Sequence, residues 1–283
     1  MTDELDLRGL SPHTKENYLA AVARLAGHYG RPPDLLSDTE IKSYLLHLIR
    51  VRGLKPNTVN VVVAALRFFF ETVLGRSFTV IVPALPRMKR GVMRPQVYSI
   101  AEVERLLAAP RLHPKHRAIL MTAYTAGLRV SEVCALKVEH ILSGRMQIRV
   151  VSGKGGKDRY TILSERLLRE LREYWKKCRP SSWLFPSQSD PARPLTTRTA
   201  QRVFDRAVKL AGLDERGGIH SLRHSFATHL LESGVELPVL QRLLGHRSLS
   251  VTAVYLHVAS SRLADVRSPF DRTEPAISET KTA

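Results

Sequence analysis

The sequence predicts a mainly α protein with a small antiparallel β-sheet, an α+β chain of two unequal lobes. Three observations predict it. Apolar residues recur at helical spacing through most of the 283 residues, with start signals ahead of them. The period changes at "RMQIRVV" and "RYTIL", two runs that read as strands. Between the helical stretches lies "PALPRMKRGVMRPQ" (83–96), with prolines, bases and no acid, which is the chemistry of a stiffened linker or of a solvated loop.

Element by element, Ser11-Pro12 caps and opens a helix that ends near Gly27–Gly30. "SDTE" (37–40) is a capping box ahead of a helix running to about Arg52-Gly53. Pro56 opens a third, with apolar positions 59, 62, 63, 66, 69, 70 and 73, stopping near Gly75. After the linker, the capping box "SIAE" at Ser99 starts a helix over 100–109. Another over 114–125 leads to one carrying "GLRVSEVCAL". The strands follow, joined by "SGKGGKD", whose glycines suit a tight hairpin turn. Helices resume over 164–178, 197–211, 220–232, 236–244 and 248–257, and the last dozen residues are polar.

Charge narrows the function. With 44 Lys+Arg against 26 Asp+Glu, the net charge of +18 favours a polyanionic partner, nucleic acid before acidic small molecules. No basic amphipathic helix with a Trp- or Phe-rich face points to a membrane surface. The longest apolar run, "VNVVVAALRFFF", is broken by Arg67 and too short to span a bilayer. No N-terminal stretch reads as a signal peptide, so a cytoplasmic protein is expected. Cys134 and Cys178 have no metal-like spacing and read as incidental thiols.

The candidate chemistry is scattered along the chain. "GIHSLRHSFATHLL" puts His220 and Arg223 three apart on one helix face, with 222, 226, 227, 230 and 231 as the opposing core stripe. Taken alone, that pair reads as a surface pair. His220 and His224 have zinc-helix spacing, but the glutamate of such helices is missing and Arg223 would set a cation beside the metal. Arg129 has Glu132 three residues on to orient its guanidinium, or simply to form a salt bridge. Lys154 and Lys157 stand on the hairpin tip, in a "GKGGK" that is not a Walker A loop. Tyr255, nine residues after His246, reads by itself as a packing tyrosine.

Together, Arg129, Lys154, His220, Arg223, His246 and Tyr255 resemble the tyrosine recombinase (phage integrase) family in order and spacing. The surrounding words match too: "TAYTAGLRVSEVCAL", "GKGGKDR", "IHSLRHSFATHLLESG" and "LQRLLGHRSLSVTAVYLHV". The resemblance covers almost the whole chain, because "SPHTKENYLAAVARL" and "LKPNTVNVVVAALRFFF" look like that family's N-terminal core-binding domain. It is nearest the compact Xer-like and integron-like members, with no room expected for an extra N-terminal arm-binding domain.

The resemblance implies a two-domain clamp on duplex DNA. A SAM-like helical core-binding domain over 1–82 is joined by a basic linker over 83–97 to a tyrosine recombinase catalytic domain over 98–270, with a polar tail over 271–283. It implies site-specific cleavage and rejoining of DNA in integration, excision or resolution, with no cofactor and no metal. Tyr255 is then the nucleophile, forming a 3′-phosphotyrosyl link. Arg129 and Arg223 hold the non-bridging oxygens, with His246 as a second phosphate contact. His220 serves as general base or phosphate contact, and Lys154, with Lys157 as the alternative, protonates the leaving oxygen. Glu132 orients the site, while His224 and His229 read as structural. Arg87, Lys89 and Arg90 of the linker follow the DNA backbone. The expected partners are a double-stranded recombination site and a homo- or hetero-tetramer, with no membrane and a place at the nucleoid. Val258–Phe270 has a short helical pattern suited to docking on a neighbouring protomer.

Lys55 stands where a capping Ser is common, Leu256 replaces the usual Thr after the tyrosine, and the short segment before the linker leaves little for a fourth N-terminal helix. A catalytically silent DNA-binding accessory protein predicts a defect among the six positions, and all are filled. A type IB topoisomerase shares the chemistry, and a metal-dependent nuclease would lose activity in chelator.

Overall fold

The computed structural model describes residues 1–77, 95–151 and 158–256, which fall into two compact units divided between 77 and 95. The linker bases Arg87, Lys89 and Arg90, the hairpin lysines Lys154 and Lys157, Val258–Phe270 and the polar tail lie outside the described residues.

The first unit packs four helices: α1 (Thr2–Leu7), α2 (Pro12–Tyr29), α3 (Asp38–Arg50) and α4 (Pro56–Arg67). Ser11 accepts from the Thr14 N–H, and Gly30, left-handed at φ 63°, ends α2. Ser37 and Glu40 form both halves of the expected capping box. The core includes Leu25, Leu36, Ile41, Tyr44, Leu45, Leu66 and Phe70, each large side chain contributing about 1.5–3 kcal/mol through burial.

Two features depart from expectation. α1 was not anticipated: its one buried anchor, Leu5, is too little for a periodic pattern, while Asp3 and Glu4 favour its N-terminus. α4 does not run unbroken to Gly75 but widens into a π-helix over Phe68–Val73. Successive residues on an α-helix step 100° around its axis, so three phenylalanines in a row cannot share one buried face. Phe70 is the one fully buried.

The second unit begins with α5 (Ile100–Leu107), α6 (Pro114–Thr125) and α7 (Val130–Cys134). A three-stranded antiparallel sheet follows, ordered β1 (Ile141–Leu142), β2 (Gln147–Val150), β3 (Arg159–Ile162). Gln147 pairs with Ile162 and Val150 with Arg159, which confirms the strands expected on either side of the hairpin turn. Then come α8 (Glu165–Cys178), α9 (Thr197–Leu210), α10 (His220–Glu232), α11 (Leu237–Leu244) and α12 (Leu249–Ala253). α6 is buried from Ala118 to Ala123 and packs against α5, α7, α8, α9 and α10.

Three details differ here. The two-residue strand β1 is too short to show a period. Arg129 is the N-cap of the five-residue α7 rather than a residue within it. α12 stops at Ala253 instead of reaching 257, because Tyr255 and Leu256 donate to Thr252 and Ala253 in a tight three-residue turn. Tyr255 therefore stands beyond the helix, in a small apolar cluster with Phe226, Leu231, Leu240 and Leu244. Cys134 is buried, Cys178 exposed, and both are free. Among the described residues, no helix is long and apolar enough to cross a membrane.

Candidate active site

The floor of the site is made by two glycine turns. Gly127, at φ +60°, carries the chain from α6 to Arg129, and a Cβ there would lie 2.3 Å from the Phe226 ring. Gly245, at φ +64°, ends α11, and a Cβ there would lie 2.6 Å from Cδ of Arg159. Both positions need glycine for conformation and for space.

Glu132 organises the cations. Its carboxylate accepts from the Arg129 N–H and Nη1 at 2.8 and 2.9 Å. It also takes Nη1 and Nη2 of Arg159, each at 2.8 Å, and lies 3.6 Å from Nη1 of Arg223. Burial alone would raise its pKa, but the bonds and charge of Arg159, with help from Arg129 and Arg223, bring it down to about 2. It is a permanent anion at neutral pH.

α10 supplies the next layer. Arg223 is 4 % exposed and donates from Nη1 to the Gly127 carbonyl at 2.8 Å. Its Nη2 donates to the Leu244 carbonyl at 2.7 Å and to Nε2 of His246 at 3.0 Å. Burial and the Arg129 charge lower its pKa to about 10, which leaves it cationic at pH 7. Because arginine only donates, Nε2 of His246 is the acceptor and Nδ1 carries the proton toward Thr252 Oγ1, 2.9 Å away. Burial and Arg223 hold this imidazole at a pKa of about 4, so it is neutral.

Tyr255 is 4 % exposed, and its ring lies parallel to His246 with centroids 6.4 Å apart. Its hydroxyl is 2.9 Å from Nδ1 of His224. Burial raises the phenol pKa, partly offset by the Arg223 charge. His224 is neutral, its pKa lowered to about 4 by burial and then by His220 and Arg223. His220 opens α10 on the exposed side, its pKa lowered by desolvation of the ring and by Arg223 and Arg129.

Arg129, Glu132, Arg223, His246 and Tyr255 are thus brought into one continuous set of contacts, with His220 on the same face of α10 as Arg223. Arg223 is not on a polar face but sunk beneath it. Three contributors escaped sequence reasoning. Arg159 closes "GKGGKDR", and its position, first in a strand and five residues after Lys154, was the available clue. Thr252 holds His246. His224, read as structural, is the histidine bonded to Tyr255. His229 instead meets the hydroxyl of Tyr124 at 2.9 Å, which fits its structural reading.

A desolvated tyrosine beside fixed guanidiniums and neutral imidazoles is chemically suited to holding an anionic group next to a phenol. Residues 97–262 match the phage integrase family, and residues 1–79 match the phage integrase N-terminal SAM-like domain. The protein y4qK of Sinorhizobium fredii, named an integrase/recombinase, is 42% identical over 273 residues, 96% of this chain and 87% of that protein. Tyrosine recombinase XerD of Pseudomonas putida is 35% identical over 273 residues, covering 90% of each chain. A solved lambda integrase tetramer bound to a Holliday junction superposes with a TM-score of 0.71 at 23% identity, over 90% of this chain and 74% of that one. The chain belongs to the phage integrase family. It is a tyrosine recombinase, an enzyme of site-specific DNA recombination.

Proposed function

We propose that this recombinase cuts one strand of duplex DNA with Tyr255. The phenol oxygen bonds to phosphorus, the 5′-oxygen leaves, and the 3′-phosphotyrosyl link keeps the bond energy for rejoining. The observation that supports this reading is the shared contact set: Tyr255 lies against His246, and His246 is bonded to Arg223. Arg223 and Arg129 then hold the non-bridging oxygens, with Glu132 keeping both in place. His220, exposed at the start of α10, is a phosphate contact. Lys154 protonates the leaving oxygen, with Lys157 as the alternative.

His246 must change its hydrogen bonds to meet a phosphate. Nε2 now accepts from Arg223, and a phosphate needs a donor there. The Thr252 hydroxyl can donate to Nδ1 as readily as accept from it, so the tautomer can switch without moving the ring.

The proposed assembly is a homo- or hetero-tetramer on two DNA sites; the lambda integrase structure is a tetramer bound to a Holliday junction. Arg87, Lys89 and Arg90 follow the backbone in the linker between 83 and 97. The proposed setting is the cytoplasm, on the nucleoid.

The test is covalent capture on a nicked DNA half-site. Tyr255→Phe should form no adduct while binding DNA nearly as native does, since phosphate contacts dominate affinity. An adduct formed by the mutant would refute the assignment.

A further inference from the structure

We propose that His224 is a catalytic residue of this recombinase, the base that takes the hydroxyl proton of Tyr255 during attack and returns it on rejoining. The inference rests on Tyr255 being the nucleophile. It differs from the reading of the sequence, which gave His220 as general base or phosphate contact.

Geometry carries it. Nδ1 of His224 lies 2.9 Å from the Tyr255 oxygen, within the distance a base needs from the proton it abstracts. The two rings are 5.6 Å apart between centroids and tilted by 46°, which leaves the imidazole edge facing the hydroxyl. His220, one turn earlier, opens α10 on its exposed side.

Charge agrees with that role. A base must start neutral, and His224 is neutral at pH 7, its pKa lowered to about 4 by burial and then by His220 and Arg223 on its own helix. From other elements, His246 stacks on Tyr255, and Arg129 at the N-cap of α7 acts on the same phenol. In the free enzyme burial, His220 and Arg223 oppose an imidazolium on His224. A bound phosphodiester reverses the balance, because its negative charge sits among the arginines and grows as the fifth bond to phosphorus forms. His224 therefore becomes a competent base only when substrate is present, which protects the nucleophile from ionising idly.

The step balances. The Tyr255 oxygen–phosphorus bond forms, and its proton moves to Nδ1 of His224. The phosphorus–5′-oxygen bond breaks, and that oxygen takes a proton from the general acid. In rejoining, the 5′-hydroxyl returns its proton to the general acid as it attacks phosphorus, the tyrosine oxygen leaves, and His224 gives that oxygen its proton back.

The experiment measures single-turnover adduct formation on a nicked half-site between pH 6 and pH 9.5, as approximate limits, for native, His224→Asn and His224→Ala. Asparagine can accept the tyrosine hydrogen bond but cannot take the proton. Both variants should be slower by about 100-fold or more. Their rates should climb about tenfold per pH unit as the phenol ionises unaided, and added imidazole should partly restore His224→Ala. A His224→Asn enzyme as fast as native would reduce His224 to a positioning group and overturn the proposal. Slow variants with no pH slope and no response to imidazole would overturn it as well. Gel-shift affinity near native establishes folding, and His224→Gln replaces a variant that fails it. Peptide mapping of the native adduct separates the two readings: attachment elsewhere than Tyr255 sinks the nucleophile, whereas attachment at Tyr255 with unaffected variants sinks His224 alone.

Discussion

Arg159 grips both oxygens of Glu132 at 2.8 Å while its Nε donates 3.0 Å to the carbonyl of Leu243. One residue on, the Leu244 carbonyl accepts from Arg223. The end of α11 is therefore pinned by two guanidiniums, and one carboxylate orients both of them. Arg159 also heads β3, opposite Val150, so the start of that strand is fixed to the same carboxylate.

Arg159→Ala should consequently cost both stability and rate. Removing one partner of a nearly buried ion pair costs about 3–5 kcal/mol, because the other charge is left unpaired. Glu132 would lose its strongest holder, and Arg129 and Arg223 the fixed carboxylate that both face. Urea unfolding should show a lower midpoint, and adduct formation should fall at least tenfold with DNA affinity little changed. Arg159→Lys should not rescue, since an ammonium cannot reproduce the fork. A lysine variant with native rates would remove Arg159 from this role.

Gly245→Ala tests the same corner from the other side. The left-handed backbone costs a residue with a Cβ about 1–2 kcal/mol. That methyl would also press on Arg159 from 2.6 Å, forcing the guanidinium off Glu132. The variant should be slower in cleavage than the stability loss alone explains. Gly30→Ala, left-handed but with nothing within 4 Å, is the control: it should be less stable yet cleave normally once folded.

Much of this was legible in the sequence, and the reasons for the rest are local. Caps at Ser11, Ser37 and Ser99 marked helix starts because a short polar side chain leaves few alternatives. The pairing of Arg129 with Glu132 followed from their spacing, and the fold bears it out. Arg159 could not be separated from other arginines of a basic chain, because its partner Glu132 lies in a different element and meets it only in three dimensions. His224 looked structural for a similar reason. Its face on α10 was known, but the position of Tyr255 depends on where α12 stops, and helix ends are weakly encoded.

Lys154 lies outside the described residues, so chemistry must test its proposed role. On ordinary DNA, Lys154→Ala should form adduct about 100-fold slower or more, for want of a proton on the leaving oxygen. On DNA with a bridging 5′-sulfur the thiolate leaves without one, and the variant should regain most of the native rate. Rescue of Lys157→Ala instead of Lys154→Ala would move the general acid to the other lysine.

Acid should loosen the site in two stages. His246 and His224 each sit at a pKa of about 4, against 6.5 when free, so between those values the unfolded chain binds protons that the fold does not. Their contribution to stability is complete above 6.5 and is lost as pH falls toward 4. Glu132, at about 2 against 4.5, follows below: its stabilisation is present above 4.5 and is lost as pH falls through 2. Thermal midpoints measured downward from pH 7 should decline first through the imidazole window and then again below pH 4.5. A double His224→Asn, His246→Asn variant should make the first decline shallower and leave the second. If the native decline begins only below pH 4.5, the imidazoles do not report on folding as their burial requires.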